Sequence, residues 1–155
     1  MKAVINLFKS FGFAFCGIAR AVKNCRNFRI HLVATAYVIY FSRFYNLDSV
    51  SYAVLFLTFG SVITAEAFNS ALEYACNAVT SEYSKNIKYA KDAAAAAVLI
   101  CAIFAIGVAI SLFLKTDVIA SIIQSAGISD WLIFAFSVIV SAFFIFYEDV
   151  LNNGK

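Results

Sequence analysis

Polar positions are rare along this chain and they are not scattered. Ala93 to Leu114 runs 22 residues without a charge, and Trp131 to Tyr147 runs 17. Apolar runs of about 18 residues or more are long enough to cross a bilayer as a helix. The pattern predicts four spans, at about 30–45, 50–79, 88–114 and 130–147. Short polar segments separate them. "NLDS" at 46–49 reads as a turn, with Asp48 or Ser49 as N-cap of the second span. "TSEYSKNIKYAKD" at 80–92 reads as a polar connection, and "KTDVIASIIQSAGISD" at 115–130 as a loop with room for a short interfacial helix.

Before the first span, Val4, Ile5, Phe8, Phe11, Phe15 and Ile18 recur at helical spacing among six Lys/Arg residues and no acid in positions 1–29. That combination predicts a basic amphipathic helix lying on a membrane surface. Lys9 interrupts the apolar run too early for a cleaved signal, and no small-residue cleavage site follows. Composition agrees with the pattern. The chain is 63% hydrophobic and 14% charged, too little polarity to cover a soluble domain of 155 residues. It contains no Pro and six Gly, which favours uninterrupted helices, and it lacks the alternating ten-residue strands of a membrane barrel. The expected fold is therefore all-α: a polytopic membrane helical bundle with an N-terminal amphipathic surface helix and three to four transmembrane helices.

Charge adds an orientation. The basic N-terminal segment and the 80–92 loop, with Lys85, Lys88 and Lys91, are expected on the cytoplasmic side, and the 46–49 and 115–130 loops outside. The C-terminal "EDVLNNGK" then returns to the cytoplasm, with Glu148 and Asp149 read as solvated interface charges. A net charge of +3 without an aromatic–basic ladder gives no reason to expect nucleic acid. Cysteines stand at 16, 25, 76 and 101 without metal-ligand spacing. Cys16 and Cys101 read as small packing residues.

One polar feature falls inside a span. In "TAEAFNSALEYACNAV", Glu66, Asn69, Glu73 and Asn77 are spaced by 3, 4 and 4, which places them on one helical face. A carboxylate in hydrocarbon costs several kcal/mol unless it is paired, neutralised or hydrated. Two on one face imply a cation, a metal or a water-filled cavity. Lys85, Lys88 and Lys91, and Arg26 and Arg29, supply positive charge at the same cytoplasmic rim. Three readings are open at this point. The stripe can clamp an oligomer through interhelical hydrogen bonds. It can carry protons or ions, although such sites favour mid-bilayer acids and broken helices. Or it can serve phosphoryl transfer, with Glu66 taking a proton from a lipid hydroxyl, Glu73 holding Mg²⁺, Asn69 orienting either group and Lys91 neutralising phosphate. No GxxxxGK[ST] loop or protein-kinase motif set is present.

The segments "RNFRIH" (26–31), "AEAFNSALE" (65–73), "SEY" (81–83) and "AKDAAAAAVLI" (90–100) together resemble the bacterial integral-membrane diacylglycerol kinase and undecaprenol kinase family over about residues 10–114. That divides the chain into a kinase-like membrane domain, 1–114, and an addition, 115–155, comprising an outward loop, a fourth helix and a short tail. The resemblance implies an ATP-dependent lipid kinase of the bacterial inner membrane. It implies Mg²⁺ as cofactor, ATP as co-substrate, a lipid alcohol as substrate, and a homotrimer with sites shared between subunits. "RNFRIH" is closer to the undecaprenol branch. Position by position, Glu66 and Asn69 match catalytic residues and Glu73 a metal-binding carboxylate. Glu82, Lys91, Asp92 and Asn77 match nucleotide-binding positions, and Asn27 and Arg29 match the lipid site. Three positions depart from the family pattern. Cys25 stands where a second metal-binding Glu is usual, Asn77 where Asp is usual, and Ser84 where His is common. Thiolate is a poor partner for Mg²⁺, which prefers oxygen. The resemblance is therefore also compatible with a weakened member serving as a trimeric membrane scaffold.

Overall fold

The computed structural model describes the backbone of residues 2–79, 82 and 84–152, and side chains over 4–79, 82 and 84–147. Ser81 and Tyr83 of the "SEY" segment, and the Glu148 and Asp149 side chains, lie outside the described residues. Among the described residues every regular element is a helix: α1 (Lys2–Asn24), α2 (Arg26–Ser42), α3 (Ser49–Val79), α4 (Lys85–Phe113), α5 (Thr116–Ser125) and α6 (Ile128–Asn152). The α3–α4 hairpin is the most extensive pairing. α2 packs on α3, α6 packs on α2, and α1 touches α2 and α3.

Among the described residues, four helical segments are long and apolar enough to cross a membrane: Val4–Asn24, Ser49–Val79, Lys85–Phe113 and Ile128–Tyr147. Here the structure differs from the sequence pattern at two places. The predicted first span, about 30–45, falls on α2, which ends at Ser42 and has only 17 residues, or ~26 Å at 1.5 Å per residue. Its end is set locally. Phe44 and Tyr45 turn back to the carbonyls of Phe41 and Ser42, and Asn46 takes a left-handed φ of 45°, which ends a right-handed helix. Conversely, α1 meets the length and composition needed for a span. Its apolar residues Val4, Ile5, Phe8, Phe11, Phe15 and Ile18 are each half exposed or more, so that face is not packed against the rest of the chain.

The helix starts follow their sequences. Asp48 is the N-cap of α3: its Oδ1 accepts the Ser51 N–H at 2.9 Å, satisfying one orphan donor of the first turn. At α6 the Gly127 N–H donates to Asp130 Oδ2 at 2.9 Å, the returning half of a capping box. The 115–130 segment does contain a short helix, α5. Hydrogen bonding to Ser51, by its side chain and its backbone, holds the Asp48 carboxyl below its ordinary range. Because the folded value lies below the unfolded one, this cap is fully present above the unfolded pKa and is lost as pH falls through the folded value. Asp48→Asn should therefore flatten the acid limb of a thermal-unfolding pH profile while leaving its neutral plateau nearly unchanged, since Asn caps as well as Asp.

Burial within one chain is sparse. Phe28, Tyr45, Leu55, Val62, Cys76 and Val98 form the apolar interior, while Phe56, Leu57, Phe68 and Phe104 are largely exposed. A chain this apolar needs lipid or other protein against those faces. Of the five alanines 93–97, only Ala94 is half-buried, so most of that small-residue surface stays open to another helix.

Candidate active site

The stripe on α3 is graded in exposure. Glu66 is buried at 2% exposure, Asn69 is half-buried, and Glu73 and Asn77 are exposed. Asn69 and Glu73 follow Glu66 on the same face of α3, one and two turns on. Yet Glu66 Oε2 is buried, and among the described residues none hydrogen-bonds it. Leaving such an acceptor unsatisfied costs ~1–3 kcal/mol, more when it is charged. That cost is a reason to expect a proton, a cation or a substrate hydroxyl there.

α4 completes the face. Lys91 Nζ donates to Asn77 Oδ1 at 2.7 Å, so the hairpin brings a cation from α4 onto the stripe of α3, one turn beyond Glu73. Asp92 follows Lys91 and is exposed. Glu82, in the connection between the two helices, is exposed as well. Asn27 is exposed on the first turn of α2, and Cys25 is half-buried at its N-cap. The structure thus brings Glu66, Asn69 and Glu73 together, and joins Lys91 to Asn77.

Arg29 behaves differently from its sequence assignment. It is 1% exposed. Nε and one terminal nitrogen donate to the Ile145 carbonyl at 3.0 and 2.8 Å. The other terminal nitrogen donates to the carbonyls of Val22 and Lys23 at 3.1 and 2.6 Å. A guanidinium committed to backbone in this way has little left for a lipid. No sequence signal marked this role, because Ile145 lies 116 residues away.

The donors on the stripe are oxygen and amide groups, which suit a hard divalent cation; Mg²⁺ commonly takes one or two carboxylates and completes its shell with water and phosphate. Glu73 is exposed on that stripe and its carboxylate suits such an ion, with Glu66 two turns back on the same face. Among the described residues, no group of three or more His, Cys, Asp or Glu side chains forms a self-contained metal cage.

The profile of the prokaryotic diacylglycerol kinase family matches residues 12–113, which contain the whole stripe and Lys91. The chain belongs to that family. It is 40% identical over 102 residues to the diacylglycerol kinase of Synechocystis sp., covering 65% of this chain and 58% of that protein. It is 32% identical over 109 residues to the undecaprenol kinase of Bacillus subtilis, covering 70% of this chain and 89% of that one. The chain therefore spans little more than half the length of the first relative and most of the second. Helices α5 and α6 lie beyond the matched segment.

Proposed function

We propose that this family member is an ATP-dependent lipid kinase that phosphorylates a membrane alcohol at the cytoplasmic rim of the inner membrane. The observation that carries the reading is the buried carboxylate of Glu66, one oxygen of which no described group hydrogen-bonds, on one face of α3 with Asn69 and Glu73 within the family segment. Glu66 takes the proton of the lipid hydroxyl as its oxygen attacks the γ-phosphorus of ATP. The bond from that phosphorus to the β,γ-bridging oxygen breaks, and ADP departs. Asn69 holds the Glu66 carboxylate in place. Lys91, set by Asn77, meets phosphate charge, and Glu82 and Asp92 border the nucleotide. Asn27 stands at the lipid side. Glu73, with Glu66 nearby, would hold Mg²⁺, which when bound neutralises phosphate charge. Positioning and charge neutralisation supply most of the rate.

α1 lies along the cytoplasmic surface in this reading, its unpacked apolar face in lipid and Lys9, Arg20 and Lys23 toward headgroups. A homotrimer gives the open alanine surface of α4 a partner. The deciding assay is transfer of phosphate from ATP to undecaprenol and to diacylglycerol by purified protein in mixed micelles. Product from one or both supports the reading and ranks the lipids. No turnover with any lipid alcohol, from protein that is folded and assembled, overturns it.

Cys25→Glu places a carboxylate where the family usually has one. The added charge should tighten Mg²⁺-dependent ATP binding by about tenfold, the scale of one favourable charge interaction. Nucleotide titration at fixed free Mg²⁺ checks this. An unchanged affinity would show that another oxygen already fills that place.

A further inference from the structure

α1 and α2 are joined by one extended residue. Cys25 has φ −112° and ψ 106°, its side chain caps nothing, its N–H completes the last turn of α1 on Ala21, and its carbonyl accepts the Arg29 N–H. A single-residue link between two helices is a hinge unless something fixes the angle. Arg29 reaches back across it. Its bonds to the Val22 and Lys23 carbonyls satisfy orphan acceptors at the C-terminus of α1, where a cation also meets the negative end of the helix dipole.

The same guanidinium holds the Ile145 carbonyl of α6 through two nitrogens. It lies 4.9 Å from the Tyr147 ring centre, and the Tyr147 hydroxyl donates to the Lys23 carbonyl at 3.1 Å. Arg26 sits 5.9 Å from the Phe146 ring. Farther along, Tyr37 Oη shares hydrogen bonds of 3.1 Å with both Ser137 and Ser141. Phe134 meets Tyr37 and Phe41 edge-on at 6.2 and 6.1 Å. Residues 29, 37 and 41 of α2 thus meet 145, 141 and 134 of α6 in antiparallel order, a seam along most of α2. We propose that α6, a helix outside the family segment, is a strap that locks the α1–α2 elbow through Arg29 and Tyr147, making Arg29 a positioning residue for the cytoplasmic rim rather than a lipid ligand.

The seam is specific to its chemistry. Arg bridges two helix backbones because its donors form a planar fork of separate nitrogens; Lys gathers its donors on one nitrogen at the end of a flexible stem and does not match that spread. Tyr147 donates a hydroxyl bond to the Lys23 carbonyl that Phe lacks while keeping the ring. The elbow half of the inference stands on these contacts alone. Its catalytic half rests on the kinase reading, because an elbow set wrongly would misplace Asn27 relative to the α3 stripe.

The test uses the full chain in membranes, wild type beside Arg29→Lys, Arg29→Gln and Tyr147→Phe. One arm measures N-ethylmaleimide modification of Cys25 by peptide mass spectrometry, with exposed Cys16 as internal reference. Tyr147→Phe should accelerate it about fivefold, the scale of one neutral hydrogen bond, and the Arg29 variants at least about tenfold, the scale of a charged one. The other arm measures lipid phosphorylation. It should show kcat falling in the same order, with KM for ATP within about twofold of wild type because none of these groups contacts nucleotide. Arg29→Lys should not rescue either readout. Unchanged Cys25 reactivity in all folded variants overturns the proposal. So does a rise in lipid KM alone with kcat and Cys25 unmoved, which would return Arg29 to the lipid site. If Arg29→Gln does not accumulate, Tyr147→Phe decides. If wild type phosphorylates no lipid, the kinase reading fails and Cys25 reactivity still decides the elbow.

Discussion

Glu66→Gln is expected to lower kcat for lipid phosphorylation by about 10²–10⁴-fold, the usual contribution of a positioned general base. It should do so without destabilising the fold. Wild-type Glu66 is 2% exposed and has an oxygen with no partner, so its carboxylate costs folding energy that a neutral amide of the same shape reduces. The thermal midpoint of Glu66→Gln should therefore equal or exceed that of wild type. This pairing of lost rate with kept or gained stability distinguishes a catalytic carboxylate from an interhelical clamp. A clamp residue would lose assembly and thermal stability on substitution, and would lose rate only in proportion. The measurement is kcat and KM in mixed micelles beside a melting curve and a size-exclusion profile. A folded Glu66→Gln protein with wild-type kcat would remove the base from the mechanism. Asn69→Ala should give a smaller loss, because in this reading it acts only through the Glu66 carboxylate one turn away.

Much of the architecture was legible in the chain because hydrocarbon imposes a simple rule: long charge-free runs must be helices. α3, α4 and α6 lie within a few residues of the stretches their patterns predict. The stripe was legible for the same reason, since carboxylates inside an apolar helix stand out against it. What the pattern could not show is decided by contacts between distant residues. No Pro or Gly lies between Ala21 and Arg29, so nothing local breaks the helix at Cys25. The break is held by Arg29 capping α1 and by α6 arriving from more than 100 residues away. The end of α2 was also obscure, because Phe44 and Tyr45 continue the aromatic series of Tyr40 and Phe41 through the turn that Asn46 closes. Resemblance to the family placed Arg29 at the lipid site, but the family segment stops at residue 113 and so excludes the helix that occupies the Arg29 side chain.

Lys91→Met should raise KM for Mg²⁺–ATP by about 10- to 100-fold, with a smaller change in kcat. The range follows from the ~1.5–3 kcal/mol carried by a hydrogen bond to a charged group. Met keeps most of the stem volume and removes only the cation, so packing of α4 on α3 should survive. The partner matters as much as the charge. Lys has four rotatable bonds, and an exposed ammonium free to sample them loses entropy when it meets phosphate. The 2.7 Å bond to Asn77 Oδ1 holds that ammonium on the stripe before nucleotide arrives, so part of its binding energy comes from preorganisation. Asn77→Ala should then raise KM for Mg²⁺–ATP about fivefold, the scale of one neutral hydrogen bond. The double variant should be no weaker than Lys91→Met alone, because Asn77 has nothing left to position. That non-additivity in a double-mutant cycle is the signature of coupled residues. Strict additivity would mean that Asn77 and Lys91 meet the nucleotide independently, and that their hydrogen bond across the hairpin serves packing only.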